Sequence, residues 1–277
     1  MTQVSVSAGT TLAEVLASRW LVALEIRILV SHVMGLTRVQ LITQSERVLS
    51  AAEAEQLTRL FQRRCDGEPI AYLTGEREFF GLSFAVTPAV LIPRPETELL
   101  VELALERLPQ NGLVLDLGTG SGAIPVAIAL TRPDTRVSAL DVSAAALEIA
   151  RANALRHQVE IRYVESDWYA ALSAEKFDVI TANPPYIVAG DAHLAQGDLR
   201  FEPLSALTDH GDGLSALRTI IAGAEGFLKP GGWLLMEHGY DQAQAVRDLL
   251  GTTDMQHIQS WRDLAGIERV TGAQISD

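Results

Sequence analysis

The sequence predicts a parallel α/β domain preceded by a small helical unit. Two observations carry this prediction: beyond Thr97 short apolar runs alternate with helical patterns, whereas before Pro69 apolar residues recur at helical spacing only. Strands that alternate with helices form a parallel sheet covered on both faces. We therefore expect a helical domain at 1–72, a β-hairpin linker at 73–96 and an α/β domain at 97–277.

Capping-box patterns begin two helices of the first domain. Thr11 is followed three residues later by Glu14, and apolar residues then continue at helical spacing as far as Leu24. A second capping box at 50–53 begins a helix that stops near Asp66. The linker is predicted as a strand pair because aromatic and β-branched residues surround a central glycine there.

The elements of the α/β domain follow in a regular order. A helix begins at Thr97. The predicted strands cover 113–117, 136–141, 161–165, 177–182 and 232–238, and the predicted helices cover 122–131, 143–154, 213–228 and 241–250. Two last strands form a hairpin at the sheet edge.

Composition and charge exclude several classes of protein. Hydrophobic residues make up 48% of the 277 residues and charged residues 21%, which is ordinary for a globular protein. We expect a cytoplasmic protein without a membrane partner, because no apolar run approaches about eighteen residues and no basic-then-apolar leader is visible. The single cysteine excludes an internal disulfide and a cysteine-based metal cluster. The net charge of -13 argues against a broad nucleic-acid-binding surface.

A glycine-rich turn, Gly118–Gly122, joins the first predicted strand to an apolar helix. Such glycines let a ligand approach the backbone, and the helix N-terminus offers unpaired N–H groups. Asp141, which ends the next strand, would bind a ribose diol; alternatively it caps the following helix, a role that Ser143 could share. Both a dinucleotide and S-adenosylmethionine fit this pattern. Asp116, just before the turn, favours S-adenosylmethionine.

The third strand is followed by Asp167 and Trp168, at the place where an adenine would lie. Trp168 would pack along the purine and Asp167 would accept a hydrogen bond from its amine. The alternative is an aromatic side chain that only covers the end of the sheet.

The fourth strand ends in Asn183-Pro184-Pro185-Tyr186. The prolines alone are explained by an extended loop. Asn183 and the Pro184 carbonyl, however, supply two acceptors that would converge on one –NH2 group, and Tyr186 supplies a flat face. This is a pocket for a planar amide or an aromatic amine, whose nitrogen could be methylated by positioning without a general base at the start.

The motifs DLGTGSGAI, Asp141, SDW and NPPYI, in this order, resemble class I S-adenosylmethionine-dependent methyltransferases that act on amino nitrogens. Two further segments resemble the peptide chain release factor glutamine methyltransferases of the HemK/PrmC type. They are GEPIAYLTGEREFFGLSFAVTPAVLIPRPETELLVE and RFEPLSAL. The resemblance implies a Rossmann-like class I methyltransferase domain with a mostly parallel seven-stranded sheet and an antiparallel edge strand. The helical domain would then dock the substrate.

The resemblance also implies an activity, which is methyl transfer from S-adenosyl-L-methionine to the N5 amide nitrogen of the glutamine in the Gly-Gly-Gln loop of class 1 release factors. The expected product is S-adenosyl-L-homocysteine, and the expected enzyme is a metal-free monomer. Expected cofactor contacts are Gly118, Thr119, Gly120, Ser121, Gly122, Asp141, Trp168 and Asn183. Expected substrate contacts are Asn183, Pro184, Pro185 and Tyr186, of which Asn183, Pro184 and Tyr186 are the catalytic ones.

Four alternatives stay open at this point. They are glutamine methylation of a ribosomal protein, amino-methylation of a nucleic-acid base, a nucleotide-binding oxidoreductase with the same glycine turn, and a scaffold without enzymatic activity. The segment Arg200-Phe201-Glu202-Pro203 favours the release-factor enzymes over the ribosomal-protein enzymes.

Overall fold

Helices form the first of two units in the computed structural model, which describes residues 4–276. This unit extends to Glu76 and the second begins at Arg77. Its helices are α1 Leu12–Leu16, α2 Ala23–Met34, α3 Arg38–Thr43, α4 Ala51–Cys65 and α5 Ile70–Thr74. Their apolar faces meet in one core, in which Leu57 and Phe61 are fully buried.

Both predicted capping boxes are confirmed. At the start of α1, the Thr11 hydroxyl accepts a hydrogen bond from the Glu14 N–H at 3.3 Å, and the Glu14 carboxylate accepts one from the Thr11 N–H at 2.7 Å. Ser50 and Glu53 make the same pair of hydrogen bonds at the start of α4. These exchanges satisfy N–H groups that a helix start leaves without partners.

The predicted continuation of the first helix to Leu24 is wrong. The helix ends at Leu16, and α2 begins only at Ala23. Between the two helices, the Trp20 ring packs on Phe61 with 6.0 Å between ring centroids. Leu12, Val15 and Trp20 face one core from α1 and the loop, whereas Leu24 at the start of α2 is exposed.

The second unit contains the hairpin and the α/β domain. The hairpin strands are β1 Glu76–Phe79 and β2 Leu82–Ala85. Its other strands are β3 Leu113–Leu117, β4 Arg136–Asp141, β5 Arg162–Glu165, β6 Phe177–Ala182, β7 Leu228–Glu237, β8 Gln256–Arg262 and β9 Glu268–Gln274. Its helices are α6 Glu98–Arg107, α7 Ala123–Thr131, α8 Ala144–Arg156, α9 Ser215–Phe227 and α10 Ala243–Leu250.

Strands β3 to β9 form one sheet in the order β5-β4-β3-β6-β7-β9-β8. Every neighbouring pair is parallel except those with β9, which runs antiparallel to both β7 and β8. The prediction of a mostly parallel seven-stranded sheet with an antiparallel strand at one edge is thus confirmed, with β9 as the antiparallel strand and β8 outside it. The strand order reverses between β3 and β6, and ligands of open α/β sheets bind beyond the strand ends at such a point.

Both faces of the sheet are covered. One core combines helices α6 and α7 with the hairpin, whose Phe79 and Phe84 are buried; the other contains apolar residues of α9 and α10. Adjacent residues of β3, Val114 and Leu115, belong to opposite cores because successive side chains of a strand alternate between faces. The hairpin is therefore a packed part of the larger unit.

Asn153 of α8 fastens the hairpin to the glycine-rich turn. Its side chain is fully buried, and its Oδ1 accepts a hydrogen bond from the Ala85 N–H at 2.7 Å. Its Nδ2 donates to the Ala85 carbonyl at 3.0 Å and to the Ser121 carbonyl at 2.8 Å. One amide thereby satisfies three backbone groups from two segments that are distant in the chain.

We expect Asn153→Ala to lower the free energy of unfolding by about 3 kcal/mol, because each buried backbone group that loses its partner costs about 1 kcal/mol or more. Urea denaturation of the purified variant measures this loss. Glu148→Ala, at an exposed position of the same helix, is the control and should change stability by no more than about 0.5 kcal/mol. A loss below about 1 kcal/mol for Asn153→Ala would contradict the assigned role.

Candidate active site

A cavity opens at the carboxyl edge of the sheet, within the larger unit. It encloses about 1080 Å³ of empty space, part of which is open to solvent. Its wall is formed by parts of the segments 89–97, 118–124, 140–146, 166–168, 183–185 and 203–206. The cavity therefore lies where the predicted glycine turn, the predicted adenine site and the NPPY segment come together.

The glycine turn forms one wall, and its conformation requires glycine. Gly118, Gly120 and Gly122 have φ values of +70°, +54° and +79°, a region that other L-residues seldom adopt. A Cβ on Gly122 would lie 3.0 Å from the Ala150 Cβ, so the turn packs directly on α8. Gly118, Thr119, Gly120 and Ser121 line the cavity, whereas Gly122 lies behind them at the start of α7.

Asp141 connects the turn to the end of β4. Its carboxylate accepts hydrogen bonds from the Gly120 N–H at 2.8 Å and the Ser143 N–H at 2.9 Å. Burial raises the pKa of this carboxyl above its ordinary value, although these backbone hydrogen bonds act in the opposite direction. Ser143 caps α8 by accepting from the Ala146 N–H at 3.2 Å. Asp141 is thus available at the cavity wall, where its remaining lone pairs can accept from a diol.

Asp116 is a buried carboxyl two residues before the turn. Its exposed fraction is 1%, and its Oδ1 accepts a hydrogen bond from the Thr181 hydroxyl at 2.8 Å. Among the residues that the structure describes, neither its Oδ2 nor the buried Thr119 hydroxyl has a well-formed hydrogen bond, but Thr119 is close enough to favour the charged carboxyl. Burial raises the pKa of Asp116 to about 7. Asp116 lies behind the turn and outside the cavity wall, so its raised pKa reflects its burial.

Trp168 forms a flat wall of the cavity. Its φ of +46° is unusual for a bulky residue. The backbone is held there by Ser166, whose hydroxyl donates to the Trp168 carbonyl at 2.7 Å and accepts from the Ala171 N–H at 3.0 Å. A Cβ on Gly118 would lie 3.6 Å from the Trp168 ring, so the indole lies directly beside the glycine turn. Asp167 also lines the cavity.

Asn183 follows β6 directly and lies beside the glycine turn. Leu117 of β3 pairs with Ala182 of β6, so the next residues, Gly118 and Asn183, emerge side by side. The Asn183 Nδ2 donates a hydrogen bond to the Thr97 hydroxyl at 3.2 Å. Because the amide nitrogen is used in this way, the amide oxygen is the acceptor left for a ligand in the cavity.

The rest of the NPPY segment is divided between the cavity wall and the interior. Pro185 lines the cavity, Pro184 is buried and Tyr186 is half-buried, and neither of the last two is part of the wall. The Tyr186 hydroxyl donates to the Glu237 Oε1 at 3.4 Å. The Tyr186 carbonyl accepts from the Gln242 Nε2 at 3.0 Å. The segment is therefore anchored at both its side chain and its backbone.

Sequence reasoning missed the ion pair that fastens two walls of the cavity together. Arg94 forms a salt bridge with Glu202, whose side chain is fully buried and also accepts from the Ile92 N–H at 3.0 Å. Thr97, Glu237 and Gln242 were missed as well. Glu237 gave a usable signal, because it is a polar residue at the carboxyl end of an apolar strand.

Within residues 4–276, no helix is long and apolar enough to cross a membrane. No three or more His, Cys, Asp or Glu side chains in the same range are grouped so that they could hold a metal ion.

Two family models match the chain. The PrmC N-terminal domain matches residues 12–75, and the methyltransferase small domain matches residues 95–199. The first match falls in the helical unit, and the second covers the glycine turn and the NPPY segment.

Curated proteins match over nearly the full length. The release factor glutamine methyltransferase of Burkholderia pseudomallei is 55% identical over 274 residues, which is 96% of each chain. The enzyme of the same name from Bordetella pertussis is 52% identical over 269 residues, covering 96% of this chain and 100% of that one. A solved methyltransferase from Pyrococcus furiosus shares the fold at 19% identity, with a TM-score of 0.55, over 72% of this chain and 91% of the other.

The pKa of Asp116 predicts a pH-dependent stability of the ligand-free protein. Because this pKa is raised from 3.8 to about 7, the folded state keeps a proton that the unfolded state releases. The stabilisation is complete at low pH and is lost as the pH rises through about 7. We expect the melting temperature of wild type to fall between about pH 5.5 and about pH 8. The melting temperature of Asp116→Asn should fall over the same range by at least about 2 °C less.

Thermal melts followed by circular dichroism measure this difference. Asp248→Asn, at an exposed position of α10, is the control and should follow wild type at every pH. Parallel pH profiles for wild type and Asp116→Asn would show that Asp116 does not titrate in this range.

Proposed function

Because this chain belongs to the release factor glutamine methyltransferase family, we propose that its cavity catalyses methyl transfer to the side-chain amide of a release-factor glutamine. The acceptor is the N5 nitrogen in the Gly-Gly-Gln loop of class 1 peptide chain release factors, and the donor is S-adenosyl-L-methionine. The observation that carries the proposal is the pairing of Leu117 with Ala182, which sets Asn183 beside the glycine turn.

The residues around the turn fit S-adenosylmethionine. Asp141 offers acceptors for the ribose hydroxyls, and Trp168 and Asp167 offer a flat face and an acceptor for the adenine. When bound, the cofactor supplies a methyl group whose bond to sulfur breaks as the bond to nitrogen forms, leaving S-adenosyl-L-homocysteine.

The NPPY segment holds the acceptor amide in this proposal. The Asn183 Oδ1 and the Pro184 carbonyl accept the two amide N–H bonds, while Tyr186, which lies outside the cavity wall, anchors the segment through Glu237. An amide nitrogen is a weak nucleophile because its lone pair is delocalised, so holding both N–H bonds is the main contribution that these residues make. The nitrogen becomes strongly acidic after methylation and releases one proton to an acceptor or to water.

We propose in addition that the helical domain, residues 1–72, docks the release factor, with residues 73–96 linking it to the methyltransferase domain, 97–277. Val39 and Ile42 support this role, because they lie three residues apart on α3 with exposed fractions of 68% and 72%. Apolar side chains exposed together on one helix face are typical of a protein-binding surface.

We expect Asn183→Ala to lower kcat about 100- to 1000-fold, because removing one positioned polar contact to a reacting group has effects of this size. In the assay, the enzyme and labelled S-adenosylmethionine are incubated with one candidate substrate at a time: a class 1 release factor, ribosomal protein, RNA or DNA. Label should enter the release factor, at the glutamine. Cofactor affinity, measured by calorimetry, should fall much less than kcat. Gln259→Ala, at an exposed amide of β8, is the control.

Several results of this assay would overturn the proposal. Label in ribosomal protein alone, or in RNA or DNA alone, would change the substrate. Tight binding of NADH without affinity for S-adenosylmethionine would indicate an oxidoreductase. Near-normal turnover by Asn183→Ala would remove Asn183 from the catalytic residues.

The docking surface makes a separate prediction. We expect the double variant Val39→Ser, Ile42→Ser to raise KM for an intact release factor at least about fivefold with kcat unchanged, since a loss of about 1 kcal/mol in binding has this effect. Steady-state kinetics measure both constants. Leu155→Ser, at an exposed leucine of α8, is the control, with 80% of its surface exposed. An unchanged KM in the double variant would exclude this face of α3 from docking.

A further inference from the structure

The carboxylate of Glu237 lies behind the NPPY segment at the end of β7. Its exposed fraction is 2%, and its Oε1 accepts from the Tyr186 hydroxyl at 3.4 Å. Its other oxygen, Oε2, is buried and has no hydrogen-bond partner in the described part of the chain. The neighbouring side chains of Thr97 and Asn183 both favour the charged form of this carboxylate. Glu237 thus combines an unused acceptor with a position next to the proposed amide clamp.

Thr97 is a neighbour of both Glu237 and Asn183, and Asn183 also acts on the Glu237 carboxyl directly. Thr97 is 5% exposed, and its hydroxyl already accepts the hydrogen bond from the Asn183 Nδ2 at 3.2 Å. A hydroxyl has one proton to donate, and a hydroxyl that accepts from one neighbour donates to another. The unpartnered Oε2 of the adjacent Glu237 is the acceptor available to it.

The orientation of the Asn183 amide depends on this proton. A side-chain amide has nearly the same shape when its oxygen and nitrogen are exchanged, so packing alone does not choose between the two orientations. In the observed one, nitrogen faces Thr97 and oxygen remains for the ligand. In the exchanged one, an N–H donor would face the –NH2 group of the substrate, and the Thr97 hydroxyl would have to donate to Asn183 instead.

We propose that Glu237, acting through the Thr97 hydroxyl, fixes the Asn183 amide with its oxygen toward the substrate nitrogen. The proposal rests on the proposed function, since it assigns positioning residues for that same reaction. An ionised carboxylate only accepts hydrogen bonds, so it directs the Thr97 proton toward itself and leaves the Thr97 oxygen to accept from Asn183. The same negative charge also favours the positive charge that develops on the substrate nitrogen during transfer.

The protonation state of Glu237 gives the arrangement a pH dependence. Burial raises the pKa of Glu237 to about 7. The nearby charge of Glu96 also raises this pKa, whereas Arg269 of β9 lowers it. The Tyr186 phenol, whose own pKa is raised by burial, faces the carboxylate as a neutral donor. The next residue, His238, directs its ring nitrogens to the Gly239 carbonyl and the Thr271 hydroxyl instead.

A protonated Glu237 can donate to Thr97 and thereby reverse the chain of hydrogen bonds. Because a raised carboxyl pKa means protonation below about pH 7, kcat at saturating cofactor and release factor should fall as the pH decreases through about 7. The loss is expected in kcat, since the orientation of Asn183 matters most when the transfer itself occurs.

The decisive test compares Thr97→Val with Thr97→Ser, using an intact class 1 release factor as substrate. Valine keeps the shape of threonine but has no hydroxyl, whereas serine keeps the hydroxyl. We expect Thr97→Val to lower kcat more than tenfold, with the calorimetric Kd for S-adenosylmethionine within threefold of wild type. We expect Thr97→Ser to be at least ten times more active than Thr97→Val. Thr219→Val, at an exposed threonine of α9, is the matched control and should behave as wild type.

Glu237→Gln is the second variant, because glutamine has the same shape but can donate a hydrogen bond. We expect a more than tenfold lower kcat and the loss of the inflection near pH 7 that wild type shows. The double variant Thr97→Val, Glu237→Gln should be no more than about threefold worse than either single one, because the two residues act through one chain of hydrogen bonds. Melting temperatures identify a variant that fails to fold. If Glu237→Gln fails to fold, the comparison of Thr97→Val with Thr97→Ser tests the inference by itself.

The outcomes separate this inference from the proposed function. If wild type methylates the release factor and Thr97→Val stays within threefold of wild type, the inference is wrong and the proposed function stands. Equal losses in Thr97→Val and Thr97→Ser would also overturn the inference, because the hydroxyl would then have no special role. If wild type transfers no label to a release factor, the proposed function itself fails.

Discussion

The parallel pairing of β3 with β6 is the constraint on which the candidate active site depends. Leu117 and Ala182 are partners in this pairing, and the chain leaves both strands at the next residue. Neighbouring strands lie about 4.8 Å apart, so two segments distant in sequence meet at one edge of the sheet. A shift of one residue would move every side chain of β6 to the other face. The buried residues on both sides of the sheet oppose such a shift.

Strand β6 lies between the two strands that carry the buried carboxyls, Asp116 of β3 and Glu237 of β7. Each accepts a hydrogen bond from a hydroxyl of β6 or of the segment after it, from Thr181 and Tyr186 respectively. Burial raises both pKa values to about 7. Two carboxyls whose pKa values lie near neutral pH therefore flank the strand that presents the amide clamp. A ligand that brings charge or hydrogen-bond donors near them would change their protonation states.

Local patterns explain what could be predicted from the sequence. Capping boxes and the glycine turn depend on neighbouring residues, and these predictions were confirmed, whereas β7 begins at Leu228, four residues before the predicted strand. The pairs Arg94–Glu202 and Thr97–Asn183 are separated by 108 and 86 residues. Such pairs leave no periodic signal, because loops and strand register bring them together. The break after Leu16 was missed for a related reason, since a helix and a loop that face one core share the same apolar spacing.

The position of β9 has a consequence for the order of assembly during synthesis. It is made after the other strands of the sheet, yet it lies between β7 and β8. A nascent chain that has completed β7 and α10 therefore presents the backbone edge of β7 unpaired, and an open edge is prone to pair with other chains. The end of β7 bears Glu237, which pairs with Val270 of β9. The glycine turn and the NPPY segment can thus form on the ribosome before β9 pairs with β7.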